Sequence, residues 1–229
     1  MKLRSEIISI IIPVLNEARI LSSTLANTQL GTDVEVIVVD GGSEDGTAEL
    51  AQSLGVKVLS ATGGRAGQMN AGALAATGDI VLFLHADTRL PIGFDALVRQ
   101  ALKQPKAVAG AFALQIDASL LGLRLIETGV NWRSHWLQMP YGDQAIFLKT
   151  EVFDHIGGFP KLPIMEDFEL MRRLKRFGRI VIIPVPVLTA GRRWQKLGVV
   201  KTTLINQLVI VAYLLGVPPE RIVGWYRRN

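Results

Sequence analysis

Four short segments place acids, a guanidinium and an imidazole where they could act on a charged ligand. Asp40 ends the apolar run VIVVD and is followed by a glycine turn, GGSEDGT (41–47). A carboxylate at the end of a buried strand can accept hydrogen bonds from a base or a ribose. Arg65 lies in GGRAGQMNAGALAATGD (63–79), whose glycines free the backbone while the guanidinium suits a diphosphate. His85 and Asp87 follow the run IVLFL directly. An acid in that place can hold Mg²⁺ or Mn²⁺ on phosphate oxygens, because such ions need only one or two protein carboxylates. His85 would add a softer ligand, better suited to Mn²⁺ than to Mg²⁺. Asp167 stands just ahead of Leu170, Met171, Leu174 and Phe177, an apolar stripe at helical spacing. The spacing turns Asp167 inward on the first turn, either as a cap or as a general base. Each segment also has a plainer use. Asn16 or Glu17 can cap a helix after Pro13 ends a strand, Ser43 or Asp45 can cap the next one, and His85 can be a packed strand-end residue.

The elements that must carry these groups alternate. Apolar runs predict strands at 7–14, 34–39, 56–60 and 80–84, with helices at about 17–28, 45–54, 68–76 and 92–103. Continuous apolar strands separated by helices predict a parallel sheet covered on both faces. Ligands then bind at the carboxyl ends of the strands. Beyond 105 the pattern predicts a strand at 107–116, a helix at 119–136 and a strand at 144–149. A helix at 166–177, strands at 179–183 and 186–190, and helices to the end complete it. No repeat or linker breaks the chain.

Composition excludes several classes. With 229 residues, 49% hydrophobic and 20% charged, the chain is neither disordered nor in need of a staple. Without cysteine there is no disulfide, thiolate metal site or thiol nucleophile. The first βα turn lacks GxGxxG, which argues against a dinucleotide. Lys2 and Arg4 precede the run IISIIIPV, which is too short and β-branched for a leader and reads as a strand. Residues 172–229 hold 12 basic residues and one acid, Glu220, so this third carries +11 and the rest −6. That asymmetry implies an anionic partner: nucleotide phosphates, headgroups or nucleic acid. No nucleic-acid module is recognisable. The stretch 199–217 reads as a buried or interfacial helix, with a clean apolar part, 208–217, half the length of a span.

PVLNE (13–17), VIVVDGGSEDGT (36–47), the Arg65–Asn70 loop with AGALAATGD, LFLHAD (82–87) and MEDFEL (165–170) occur together in one order. In that order and spacing they resemble the family 2 glycosyltransferases of the glycosyltransferase A fold. HADT (85–88), YGDQ (141–144) and RRW (192–194) look most like a small bacterial branch, the radical-SAM/selenodomain-associated or arsenosugar-biosynthesis-type transferases. The resemblance implies an α/β fold with a Rossmann-like, mostly parallel sheet flanked by helices and followed by C-terminal helices. It implies one glycosyltransferase domain over 1–229: a nucleotide-sugar half (1–105), an acceptor and catalytic half (106–194) and C-terminal helices (195–229). Pro13, Asn16, Glu17, Asp40, Arg65, Asn70 and His85 would line the nucleotide sugar. Asp87, matching the last acid of Asp-x-Asp, would hold the divalent cation (Mn²⁺ or Mg²⁺). Asp167 would deprotonate the acceptor in an inverting transfer. Tyr141, Asp143, Gln144, Glu166, Arg192, Arg193 and Trp194 would face the acceptor or the diphosphate.

The implied donor is a UDP- or GDP-sugar and the acceptor a hydroxyl compound. A sugar-phosphate nucleotidyltransferase would share the cleft but should open on a glycine- and arginine-rich loop, which PVLNEAR (13–19) does not supply. A non-catalytic nucleotide-sugar-binding relative would share the site without turning donor over. The basic C-terminal third, with Trp225, Tyr226, Arg227 and Arg228 after the apolar stretch, suits an anionic membrane surface. The expected location is cytoplasmic, peripheral on the inner membrane face. Packing on the sheet and a homodimer seam are the other uses for that stretch.

Overall fold

The computed structural model describes residues 5–228, so Lys2 and Arg4 lie outside the described residues. Eight strands form one sheet: β1 (Ile8–Val14), β2 (Val34–Asp40), β3 (Lys57–Ser60), β4 (Ile80–Phe83), β5 (Thr88–Arg89), β6 (Ala107–Asp117), β7 (Phe147–Lys149) and β8 (Arg179–Ala190). Their order is β3-β2-β1-β4-β7-β6-β8-β5. Only β7 and β5 pair antiparallel with their neighbours, so six strands point one way and their carboxyl ends share one edge.

Alternation along β1 shows how the sheet is held. Ile8, Ile10, Ile12 and Val14 face one layer, with Leu21 and Leu25 of α1 (Ala18–Thr28), Ala51 of α2 (Thr47–Ser53), Phe94 and Val98 of α4 (Phe94–Leu102) and Leu123 of α5 (Leu123–Leu137). Ile11 faces the other, with Met69 of α3 (Gly64–Leu74), Phe153 of α6 (Thr150–His155) and Leu170 of α7 (Glu166–Leu174). Strands buried on both faces are the physical reason for their continuous apolar runs. A third cluster joins the start of α7 (Met165, Phe168) to α9 (Val199–Leu214) and α10 (Pro219–Arg228), beyond the short α8 (Arg192–Leu197).

Several boundaries differ from the sequence reading. The glycine-rich connection is helical from Gly64, so Arg65 sits on the first turn of α3 and not in an open loop. The second sheet half is more broken: a 3₁₀ turn (Gly142–Gln144) precedes a short β7, and α6 and β5 are additional. The two expected strands after 179 are one, β8. Its register jumps from Phe112↔Ile183 to Ala113↔Pro186, so Pro184 and Val185 fall in a bulge where no ladder N–H is needed. Of the apolar stripe, Leu170, Met171 and Leu174 are fully buried, but Phe177 is 52% exposed because α7 has already ended.

Candidate functional site

Each strand end delivers its residue to the shared edge by a local device. Asp40 is 5% exposed; its Oδ2 accepts the N–H groups of Gly42 (2.9 Å) and Ser43 (3.0 Å). Its Oδ1 is buried without a hydrogen-bond partner, leaving an acceptor able to take a ligand N–H or O–H. Asn16 adopts φ +56° and its Oδ1 accepts Glu44 N–H (2.9 Å), while its own N–H donates to Ser43 (2.8 Å). Asn16 therefore ties the β1 turn to the β2 turn and does not cap α1. Glu17 occupies the N-cap position of α1 without a side-chain cap bond. Asp45 is not the N-cap residue of α2, a place Gly46 takes, but its carboxylate accepts the first N–H of α1, from Ala18, and of α2, from Thr47 (both 3.1 Å). Buried Gln68, unremarked in the sequence, donates to the carbonyls of Val14 and Val39 (both 2.8 Å) and braces the ends of β1 and β2.

Past β4, Asp87 C=O accepts Ala190 N–H (3.0 Å), and Thr88 pairs with Thr189 (2.9 Å). This clasp brings Arg192, two residues beyond β8, over the first half of the chain. Its guanidinium reaches Asp87 Oδ2 at 3.0 Å and Glu17 Oε2 at 3.2 Å. The protein's own cation thus bridges the acids that follow β1 and β4. The hydrogen bonds Arg192 donates to Glu17 hold it charged still more firmly than usual, burial opposing them.

A pocket lined by Arg65, Phe83, His85, Gly142, Glu166 and Asp167 lies beside this bridge. Asp167 Oδ2 accepts Gly142 N–H and its Oδ1 accepts Phe168 N–H, each at 2.7 Å. Gly142 fits because it has no side chain; a Cβ there would sit 3.0 Å from His85 Nε2 and 3.3 Å from Asp167 Oδ2. Burial, helped by the Arg65 cation, pushes the His85 imidazole down to about 3, so it is neutral at ordinary pH. Burial and the neighbouring Asp167 push Glu166 up, against Arg65 at 3.7 Å. Asp143 rises to about 6, through burial first and then Asp167 and Asp87, against the pull of Arg133. Its Oδ1 is buried and unpartnered. Arg133, missed by the sequence reading, stacks on Tyr141 with its guanidinium carbon 3.5 Å from the ring centroid. A polar residue among the inward positions of α5 was the available signal.

Other expected site residues do structural work. Gln144 is 0% exposed; it donates to Phe112 C=O (2.8 Å) and accepts from Ser134 (2.8 Å), so no acceptor can reach it. Asn70 pins the backbone of Phe159 by two bonds of 2.9 Å. Trp194 packs on the core with Val130 and Val199. Arg193 lies 3.7 Å from the Tyr226 ring centroid, and its Nε and Nη2 are buried without partners. Pro13 stays within β1, opposite Val39.

Among the described residues no three His, Asp or Glu side chains converge as a protein-only metal cage. A hard cation on a diphosphate needs no such cage. Asp87, Asp143 and Asp167 crowd negative charge here, and the orphaned Asp143 oxygen shows it to be incompletely compensated. That chemistry fits Mg²⁺ or Mn²⁺ at Asp87.

A mostly parallel sheet, helices on both faces and acids gathered at the carboxyl edge define the glycosyltransferase A fold. A mannosyltransferase from Pyrobaculum calidifontis, solved with GDP-Man and Mn²⁺, shares it at TM-score 0.64 and 23% identity, over 82% of this chain and 57% of that one. S. aureus TarS in complex with UDP-GlcNAc shares it at TM-score 0.62 and 16% identity, over 80% and 58%. Residues 9–160 match Glycosyl transferase family 2, and the chain belongs to that family. Asp167 lies just past the matched residues. An uncharacterised glycosyltransferase of Nostoc sp. (strain PCC 7120) is 40% identical over 91 residues, 35% of this chain and 28% of the relative. A TPR repeat-containing protein of Synechococcus elongatus is 36% identical over 104 residues, 44% and 26%. The chain therefore spans about a quarter of the length of these curated relatives.

Proposed function

We propose that this chain transfers a sugar from a nucleoside-diphosphate sugar to a hydroxyl acceptor, with inversion at the anomeric carbon. The observation that carries the reading is the convergence of Asp40, Arg65, Asp87 and Asp167, from four separate segments, on one edge of the sheet. Asp40, with its free buried oxygen, would take a hydrogen bond from the nucleoside. Arg65 and Arg192 would offset the negative charge of the diphosphate. The fold's divalent cation, held by Asp87, would supply further neutralisation of the leaving group.

Asp167 keeps a lone pair on each oxygen after accepting its two backbone N–H groups, so it can receive a proton. As the acceptor oxygen bonds to the anomeric carbon, its proton passes to Asp167. The bond from that carbon to the phosphate oxygen breaks on the opposite face, and its electron pair leaves with the nucleoside diphosphate. The glycosyltransferase relative and the nucleotide complexes of the structural neighbours support the coarser part of this reading, transfer from a nucleotide sugar. The arsenosugar-type branch is the proposed place within the family, on HADT, YGDQ and RRW.

The test is a panel of UDP-, GDP- and dTDP-sugars, each with and without Mn²⁺, read by thermal shift and then by nucleoside diphosphate release with hydroxyl acceptors. Ligands that bind only the native state raise the melting temperature. One donor that stabilises and is turned over is expected. Stabilisation without release across the acceptor panel would instead mark a binding protein.

A further inference from the structure

Helix α9 is largely apolar, its polar residues being Lys201, Thr202, Thr203, Asn206 and Gln207, yet much of its apolar surface is uncovered. Val209 and Ala212 face inward and pack with Phe168 and with Ile222 of α10. The opposite side carries Val200, Leu204, Leu208, Val211 and Leu215, spaced three and four positions apart and 50–78% exposed. Surface helices ordinarily turn a polar face to water. At 16 residues α9 is about 24 Å long, short of a bilayer core. Among the described residues no helix is long and apolar enough to cross a membrane.

Charge decides what covers this face. Lys196, Lys201 and Arg221 flank it on α8, α9 and α10, all exposed, and none forms an ion pair among the described residues. The side chains of Arg227 and Arg228 lie outside the described residues. The whole segment from 172 onward carries +11. A second copy laid on the stripe would bring like charges together, which disfavours that pairing. An anionic bilayer offers the complementary sign, and an apolar stripe with a basic margin is the pattern of helices lying in the membrane interface.

We propose that α9 docks flat on an anionic membrane surface, its Val200–Leu215 stripe among the acyl chains and Lys196, Lys201 and Arg221 among the headgroups. The consequence reaches the site. Phe168, next to Asp167, stacks edge-on against Tyr213 of α9 at 5.8 Å between ring centroids, so docking would hold the candidate catalytic helix one layer from the lipid.

Sedimentation of the full chain with vesicles tests this independently of turnover. The vesicles are phosphatidylcholine alone, or equal parts phosphatidylcholine and phosphatidylglycerol. Binding to the mixed vesicles at low salt is expected. It should weaken by about tenfold or more as salt shortens the screening length to ~3 Å, with little binding to the neutral vesicles. Leu204→Glu combined with Leu208→Glu, both at exposed positions and so harmless to folding, should abolish binding while leaving the melting temperature unchanged. Binding that survives this double substitution, or that is equal on neutral vesicles, overturns the proposal. So does absent binding together with a concentration-dependent dimer that the same substitutions dissolve, which would give the stripe to a second copy.

Discussion

Replacing Asp167 with Asn separates the proton acceptor from the scaffold it belongs to. In the native protein each carboxylate oxygen accepts one backbone N–H, from Gly142 and from Phe168, at 2.7 Å. An amide has one oxygen, so one of these N–H groups must face an NH₂ and lose its partner. A part-buried donor left unsatisfied costs about 1–3 kcal/mol. For a chain of this size that lowers the melting temperature by roughly 2–12 °C, at about 2–4 °C per kcal/mol. Against a typical total of about 5–15 kcal/mol, the variant stays folded at 25 °C. The catalytic effect is of another order, because loss of a general base costs about 10²–10⁴-fold in rate. The assay is nucleoside diphosphate release under saturating donor, with donor affinity measured separately by calorimetry. The expected result is a rate down at least about 10²-fold with donor affinity within about threefold of wild type. A variant that turns over at the native rate, or one whose lost rate is fully matched by lost donor affinity, would refute the assignment.

Three further outcomes are expected. Arg192→Gln frees Asp87 from a half-exposed ion pair worth about 0.4–1 kcal/mol, so Mn²⁺ alone should bind about two- to fivefold tighter by titration calorimetry; unchanged affinity would place the metal away from Asp87. Gln144→Leu leaves Phe112 C=O and Tyr141 N–H without their partner, while the Ser134 hydroxyl keeps Val130 C=O, and should destabilise by about 2–5 kcal/mol in denaturant unfolding. An unaltered midpoint with a raised acceptor KM would contradict its structural role. Arg99→Ala strands buried Asp95 and should cost about 3–5 kcal/mol. Burial would raise Asp95, but hydrogen bonds from Arg99 and the Thr32 N–H outweigh it and hold it below 3.8. Its stabilisation is therefore present above about pH 4 and lost as pH falls through the lowered value, and that acid limb should shrink in the variant.

The first half of the chain was legible because it obeys local rules. Strands β1, β2 and β4 announce themselves as apolar runs buried on both faces, and Asp40 and Asp87 are marked by following them. The later half was less legible because its causes are distant in sequence. Strand β7 owes its place to β4 and β6 on either side, and β8 tolerates two prolines only because β6 shifts register beside it. Arg192 meets Glu17 across 175 positions, and Asp167 meets Gly142 across 25. Gln144 was misplaced for a related reason. A glutamine beside a candidate site looks like a ligand contact until the neighbours that enclose it are known, and Phe112 and Ser134 lie 32 and 10 residues upstream.

The position of β7 has a consequence for recombining parts of such proteins. A chain divided near residue 105 looks like a donor piece and an acceptor piece joined end to end. Yet β7, from the second piece, is the strand that hydrogen-bonds β4 of the first through Ile80↔Lys149, Val81↔Leu148 and Leu82↔Phe147. A cut at 105 would bare the edge of a fully buried strand, a template for sticking to other chains. Residues 1–105 of one relative therefore cannot be transplanted alone. A working chimera must carry β7 with the donor piece, or keep its side chains matched to β4, so the natural unit of exchange is discontinuous along the chain.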